Sequence, residues 1–363
     1  MSRFTAVYHL ESTPADIEAR AQALAVEQSI EMPPSAVRQP EILEQILARV
    51  ASIEEAEPGY FRVELQMAVE TTALQVSGLM NVLFGNCSLQ EDVELVGLEL
   101  PPELLAAYAG PQYGIAGLRH LVHAHDRPLT CTALKPQGLG PLQLADLAHT
   151  FALGGLDIIK DDHGITNQTY APFALRVPAI QKAVARANAA TGLSTLYAPM
   201  LAGGPKVLEA NLKVAREEGV KVVMIAPMLI GLPVFHELVG ELDMAVLAHP
   251  AFAGNRIAPP VLLGRLFRLF GADATIFPNY GGRFSYSTQT CMDLAEAARG
   301  HWGGVRPCLP VPAGGMTVER VEEMGRFYGD DVMLLIGGNL LAAGDRMLER
   351  TREFVQKVAR VAV

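Results

Sequence analysis

Eight short apolar runs punctuate the chain from Arg127 onward, at residues 129–134, 156–159, 194–198, 222–226, 245–249, 275–277, 308–311 and 332–336. Each is too short for a helix, and most are followed by polar or glycine residues and then by an amphipathic stretch. Strands buried on both faces under helices have this character, because neither face alternates with polar residues. Eight such units over about 230 residues fit the size of a (β/α)8 barrel better than that of an open doubly wound sheet. The expected class is α/β, with a C-terminal (β/α)8 TIM barrel over residues 112–363.

Residues 1–111 read differently. A strand is expected at residues 4–10, then a helix opened by Ser12-Thr13-Pro14-Ala15-Asp16, where a hydroxyl caps and the proline takes the first turn. A helix follows over about residues 41–51. A strand at 60–69 is marked by Phe61, Val63 and Leu65 alternating with Arg62, Glu64 and Gln66. A helix at 71–84 and a strand at 93–99 complete a β-α-α-β-α-β order, a small open α+β domain of ferredoxin-like type.

Composition narrows the partners. Half the residues are apolar, 19% are charged, and the formal net charge is −10 with no lysine–arginine cluster, so nucleic acid and anionic membrane are excluded as partners. No run approaches the ~18 apolar residues needed to span a bilayer, and the first twenty residues lack the apolar core of a signal peptide. Cys87, Cys131, Cys291 and Cys308 form no CxxC pair and read as buried free thiols. Together these point to a cytoplasmic protein acting on a small molecule.

Barrel enzymes carry their chemistry at the C-terminal ends of the strands. Those positions here are Lys135-Pro136-Gln137, Lys160-Asp161-Asp162-His163, His249-Pro250, Asn279-Tyr280-Gly281-Gly282-Arg283, Ala313-Gly314-Gly315 and Gly337-Gly338-Asn339. Gly314, Gly315, Gly337 and Gly338 stand where barrels most often hold a phosphate on backbone N–H groups; plain turn chemistry is the alternative. Around Lys160, either a lysine–aspartate ion pair sits at the rim or a divalent metal is bound through oxygen. Lys135 is either a partner for an enolate or a surface lysine before a turn.

The segment Gly154-Gly155-Leu156-Asp157-Ile158-Ile159-Lys160-Asp161-Asp162 closely resembles the RuBisCO signature. Thr132-Ala133-Leu134-Lys135-Pro136 resembles that family's first-strand motif, and Ala313-Gly314-Gly315 and Gly337-Gly338 resemble its phosphate loops. Glu27-Gln28-Ser29 resembles the segment whose glutamate enters the neighbouring subunit's site. The resemblance implies CO₂ held as a carbamate on Lys160, with Mg²⁺ bound by Lys160 and Asp162. His163 is then a third ligand or a base. Lys135 stabilises an enediolate, and Arg283 either meets a carboxylate or phosphate or makes a rim salt bridge. His249 is a proton carrier or a packed histidine. A homodimer with the site shared between subunits follows, Glu27 coming from the partner copy.

Departures are as pointed. His163 stands for the family's last carboxylate ligand, and Gln137 for its second first-strand lysine. Val82 stands where an asparagine is expected, Pro250 for an arginine and Ala313 for a serine. Asn279–Arg283 replaces a flexible Gly-Lys lid. These losses argue for a RuBisCO-like protein that does not fix CO₂. The first expectation is decarboxylation or C–C cleavage of a 3-oxo sugar-acid phosphate through a metal-stabilised enediolate. The alternatives are an enolase or isomerase on a thiomethyl sugar phosphate, as in methionine salvage, and a catalytically silent binding protein.

Overall fold

The structure, a computed structural model, describes residues 2–282, 284 and 286–361. The chain forms two compact units, one of Met1–Ala109 with Gly254–Leu262 and Trp302–Val305, the other of Gly110–Ala253, Leu263–His301 and Arg306–Val363.

The first unit runs β1 (Arg3–Glu11), helix Ile17–Glu27, helix Pro40–Gln45, β2 (Arg49–Glu57), β3 (Tyr60–Ala68), helix Val76–Phe84 and β4 (Val93–Glu99). Its antiparallel sheet has the order β2-β3-β1-β4. Ala6, Tyr8 and Leu10 of β1 are buried, as are Ile17, Ala21, Leu24 and Ala25, which form one stripe on the first helix. The outer edge of β4 is covered: Leu95 N–H donates to Arg256 O, and Ala258 N–H to Leu95 O.

Two expectations fail here. The helix expected over residues 41–51 ends at Gln45, and the chain then enters β2. The segment Arg49–Glu57 is rich in glutamate and alanine, which read as helical. It is an edge strand paired only with β3, so most of its residues are exposed and no apolar run betrays it. The added strand completes the β-α-β-β-α-β order of a ferredoxin-like unit. The hydroxyl of Thr13 also does not cap a backbone N–H; it donates to Asp16 Oδ2 at 2.6 Å, and the helix begins at Ile17.

The second unit contains β5 (Leu129–Leu134), β6 (Ile158–Asp161), β7 (Leu196–Ala198), β8 (Met200–Leu201), β9 (Val222–Ile225), β10 (Ala245–Ala248), β11 (Ala274–Pro278), β12 (Leu309–Ala313) and β13 (Met333–Leu335). All pairings are parallel, in the orders β13-β5-β6-β7 and β8-β9-β10-β11-β12. β7 and β8 are one strand interrupted at Pro199, which has no N–H to give. The expected runs thus become eight strands, the last pairing with the first, and β12 lies beside β13.

Alternate residues of every strand meet in one apolar cluster. They include Leu129 and Cys131, Ile158, Ala198, Met200, Val222 and Met224, Ala245 and Leu247, Ala274 and Ile276, Leu309 and Val311, Met333 and Leu335. A parallel sheet wrapped on itself produces such an interior. Ile115, Leu118 and Val122 of the helix Gly114–Val122 join the cluster. Asp273, just ahead of β11, fixes the start of that helix by accepting from Tyr113 N at 2.6 Å and Gly114 N at 2.7 Å. All four cysteines are free and buried. Among the described residues no helix is long and apolar enough to cross a membrane.

Candidate active site at the strand ends

Side chains two residues apart on a strand share a face, so the inward parity of each strand carries through to its C-terminal end. From Cys131 it leads through Ala133 to Lys135, and from Ile158 to Lys160 and Asp162. From Leu247 it leads to His249, from Val311 to Ala313, and from Leu335 to Gly337. The residues singled out on strands β5, β6 and β10 therefore converge at one end of the second unit.

Their contacts confirm the convergence. Lys135 Nζ lies 2.8 Å from Asp162 Oδ2, and His163 Nδ1 lies 3.4 Å from Asp162 Oδ1. The ring of His163 stacks on that of His249, with centroids 4.4 Å apart and planes 14° apart. The ion pair at this rim is thus made by Lys135. Lys160 is 2% exposed and its Nζ donates to the backbone oxygen of Asp161 at 3.0 Å.

Burial dominates the electrostatics. It pulls the Lys160 amine below the usual lysine range, against the charges of Cys131 and Asp162. Burial also raises the Asp162 carboxyl, but hydrogen bonds from His163 and Lys135 and the charge of Lys160 outweigh it and hold the group well below the usual carboxylate range. His249 is pushed down to about 2 by burial and by the neighbouring Lys160 and His163. It is therefore neutral, and because its Nδ1 accepts from Ala251 N at 3.1 Å, its proton sits on Nε2.

Asp161 has the opposite parity and a different life. It faces the helices, where Tyr197 Oη donates at 2.8 Å, Met200 N at 3.0 Å and Arg176 lies at 3.1 Å. Arg176 also donates to the carbonyl oxygens of Ala171 and Thr166, so the ion pair ties β6 to the segment ahead of the helix Phe173–Thr191. Neither Arg176 nor Tyr197 was picked out from the sequence. Period-two alternation within Lys160-Asp161-Asp162 is the signal in the sequence that could have separated the two aspartates.

The glycines fall at the same end. Gly314 and Gly315 have φ of 78° and 69°, a left-handed conformation open to glycine, and Gly315 packs so closely on Gly282 that a Cβ there would lie 2.4 Å from its Cα. A Cβ at Gly337 would lie 3.9 Å from Lys135 Cε, and one at Gly338 would meet nothing within 4 Å. Gln137 lies over Gly164, next to His163. Arg283 lies outside the described residues. Glu27 belongs to the first unit, where Asn86 Nδ2 donates to it at 2.9 Å; a pocket of about 290 Å³ is lined by Glu27, Asn81, Val82 and Asn86 among others. Asn86 was not anticipated.

Residues 114–255 match the model of the ribulose bisphosphate carboxylase large chain, catalytic domain. The chain is 51% identical to ribulose bisphosphate carboxylase-like protein 1 of Rhodopseudomonas palustris, over 98% of both chains. It is 52% identical to the 5-methylthioribulose-1-phosphate isomerase of Rhodospirillum rubrum, over 99% of this chain and 97% of that one. The crystal structure of a RuBisCO-like protein from Rhodopseudomonas palustris superposes with a TM-score of 0.94 at 49% identity, covering 100% of this chain and 99% of the other. With relatives this similar over their full length, the chain belongs to the RuBisCO-like, non-carboxylating members of the RuBisCO large-chain family.

Proposed function

We propose that this enzyme isomerises a phosphorylated thiomethyl ketose through an enediolate, with 5-methylthioribulose 1-phosphate as the first substrate to test. Of the reactions expected from the sequence, this is the alternative to decarboxylation, and the isomerase relative supports it. The observation that carries the chemistry is Lys135 held at 2.8 Å by Asp162 beside the stacked His163 and His249.

Isomerisation removes a proton from a carbon next to a carbonyl and returns one to the neighbouring carbon, with no atoms gained or lost. The enediolate between the two steps carries negative charge. Lys135 is the positive group placed to stabilise it, and Asp162 fixes where that group points. His163, with Nδ1 turned to Asp162, holds the moving proton on Nε2. Neutral His249 keeps the His163 ring in place by stacking without adding charge. Backbone N–H groups at Gly314–Gly315 and Gly337–Gly338 receive the phosphate.

As bare side chains the donors suit Mg²⁺ poorly: one carboxylate already paired, one imidazole and one amine. Among the described residues no three His, Cys, Asp or Glu side chains form a ready cation site. A carbamate on Lys160 would change this by supplying oxygen, and burial favours the free amine that reacts with CO₂. So modified, Lys160 and Asp162 would hold a divalent cation through oxygen, and His163 keeps its proton-carrying role. Such a cation would polarise the substrate carbonyl. We also infer a cytoplasmic homodimer in which Glu27 of one copy serves the site of the other.

The test is to incubate the purified protein with 5-methylthioribulose 1-phosphate in D₂O and follow proton and phosphorus resonances. An isomeric phosphate carrying solvent deuterium on carbon is expected. An unchanged substrate, alongside CO₂ release from a 3-oxo sugar-acid phosphate, would overturn the reading in favour of cleavage.

A further inference from the structure

The two sides of the barrel mouth differ in kind. Strands β5 and β6 end in Lys135, Lys160, Asp162 and His163. Strands β9, β10 and β11 are successive neighbours in their sheet, and each is followed by a large exposed apolar side chain, the first of them in the short helix Pro227–Ile230. These are Leu229, Phe252 and Phe284, which are 53%, 79% and 48% exposed. A single exposed apolar residue is ordinary. Three that follow adjacent strands at the site end of a barrel are not.

Geometry ties two of them to the site. Phe252 follows the loop in which Ala251 N donates to His249 Nδ1, and it holds φ at 64°, which a bulky residue seldom adopts. The ring of Phe284 lies over Gly314: a Cβ on that glycine would come within 3.8 Å of Phe284 Cδ2 and 3.9 Å of Cε2. No charged side chain occurs in residues 226–231. His249 is the lone titratable group of 249–254, and residues 278–287 carry one charged residue, Arg283, which lies outside the described residues. Arg320, which lies over Tyr280, is neutralised by Glu323 at 2.8 Å.

We propose that Leu229, Phe252 and Phe284 form an apolar subsite for the uncharged tail of the substrate, a thioether or alkyl end. The phosphate lies at the glycine loops of β12 and β13. This rests on the reading of the mouth as the active site. Thioether sulfur against aromatic rings is a favourable contact, and burying the tail also removes the three side chains from water. A second apolar cleft, of about 670 Å³, adjoins Lys135 and Gly338. It runs along the helix Pro141–Leu153, past Gln143, Asp146, Leu147 and Thr150, and so leads away from the strand ends.

The test is calorimetric binding of pentyl phosphate and 5-hydroxypentyl phosphate, which needs no turnover. The wild type should bind pentyl phosphate about tenfold more tightly, the usual discrimination of an apolar pocket. Phe284→Ser and Phe252→Ser should bring the two affinities together while leaving the hydroxylated ligand unchanged; Leu341→Ser, in the other cleft, should preserve the preference. Equal weakening of both ligands, no wild-type preference, no binding of pentyl phosphate, or loss of preference only in Leu341→Ser would each overturn the subsite. A preference for pentyl phosphate in a protein that leaves 5-methylthioribulose 1-phosphate unchanged would instead overturn the proposed reaction and keep the subsite.

Discussion

Asp161 and Asp162 are neighbours in the chain and belong to different regions of the molecule. Asp161 lies in the dry layer between strands and helices, where Tyr197, Met200 N–H and Arg176 fill its bonding capacity. Asp162 lies at the mouth, where its partners are the ends of a lysine and a histidine that remain partly exposed. The first environment leaves a carboxylate nothing to do but hold elements together. The second leaves charges that can be redirected toward a substrate. One residue of register decides between the two, because a strand turns alternate side chains to opposite faces.

Replacing each aspartate breaks the comparison if the two regions are not as separate as this. Asp162→Asn should lower kcat/KM about 10³-fold, within the span for a lost acid–base arrangement. Stability should change by less than about 1 kcal/mol, because Lys135 is a partly exposed partner. Steady-state kinetics and urea unfolding on one preparation measure both. Asp161→Ala should do the reverse, costing about 3–5 kcal/mol of stability by leaving Arg176 charged and buried without its partner. The folded fraction should keep its kcat. If Asp161→Ala abolished activity in fully folded protein, the two regions would be one.

The parallel strands were legible because their burial is total: runs such as Leu129–Leu134 and Val222–Ile225 have no exposed face and carry no charged residue. β2 was not, since an edge strand dominated by Glu54, Glu55 and Glu57 satisfies helix propensity as well as strand alternation, and only its pairing with β3 decides. At the site, Lys135, Lys160, Asp162, His163 and His249 could be named from strand ends alone. Their mutual contacts could not, because the stacking of His163 on His249 joins loops from β6 and β10, which are not adjacent in either sheet. Arg176 was hidden for a related reason: it reads as a surface residue of an amphipathic helix until Asp161 is seen to point at it.

The mouth should also betray itself through pH. His249 has its folded pKa near 2, from burial first and then from the positive groups around it, against about 6.5 in the unfolded chain. Below pH 6.5 the unfolded chain therefore binds a proton that the folded protein refuses, so acidification favours unfolding. The penalty is absent above pH 6.5, grows as pH falls, and reaches about 2 kcal/mol at pH 5. His249→Gln cannot take up that proton in either state. The difference in unfolding free energy between wild type and variant should thus shift by about 2 kcal/mol between pH 8 and pH 5, in favour of the variant. Comparing the two at each pH cancels the packing cost of the substitution and the titration of distant carboxylates. A constant difference across that range would mean that His249 is free to protonate in the folded protein. The stacked pair would then be a charged one, and the neutral support assigned to His163 would be lost.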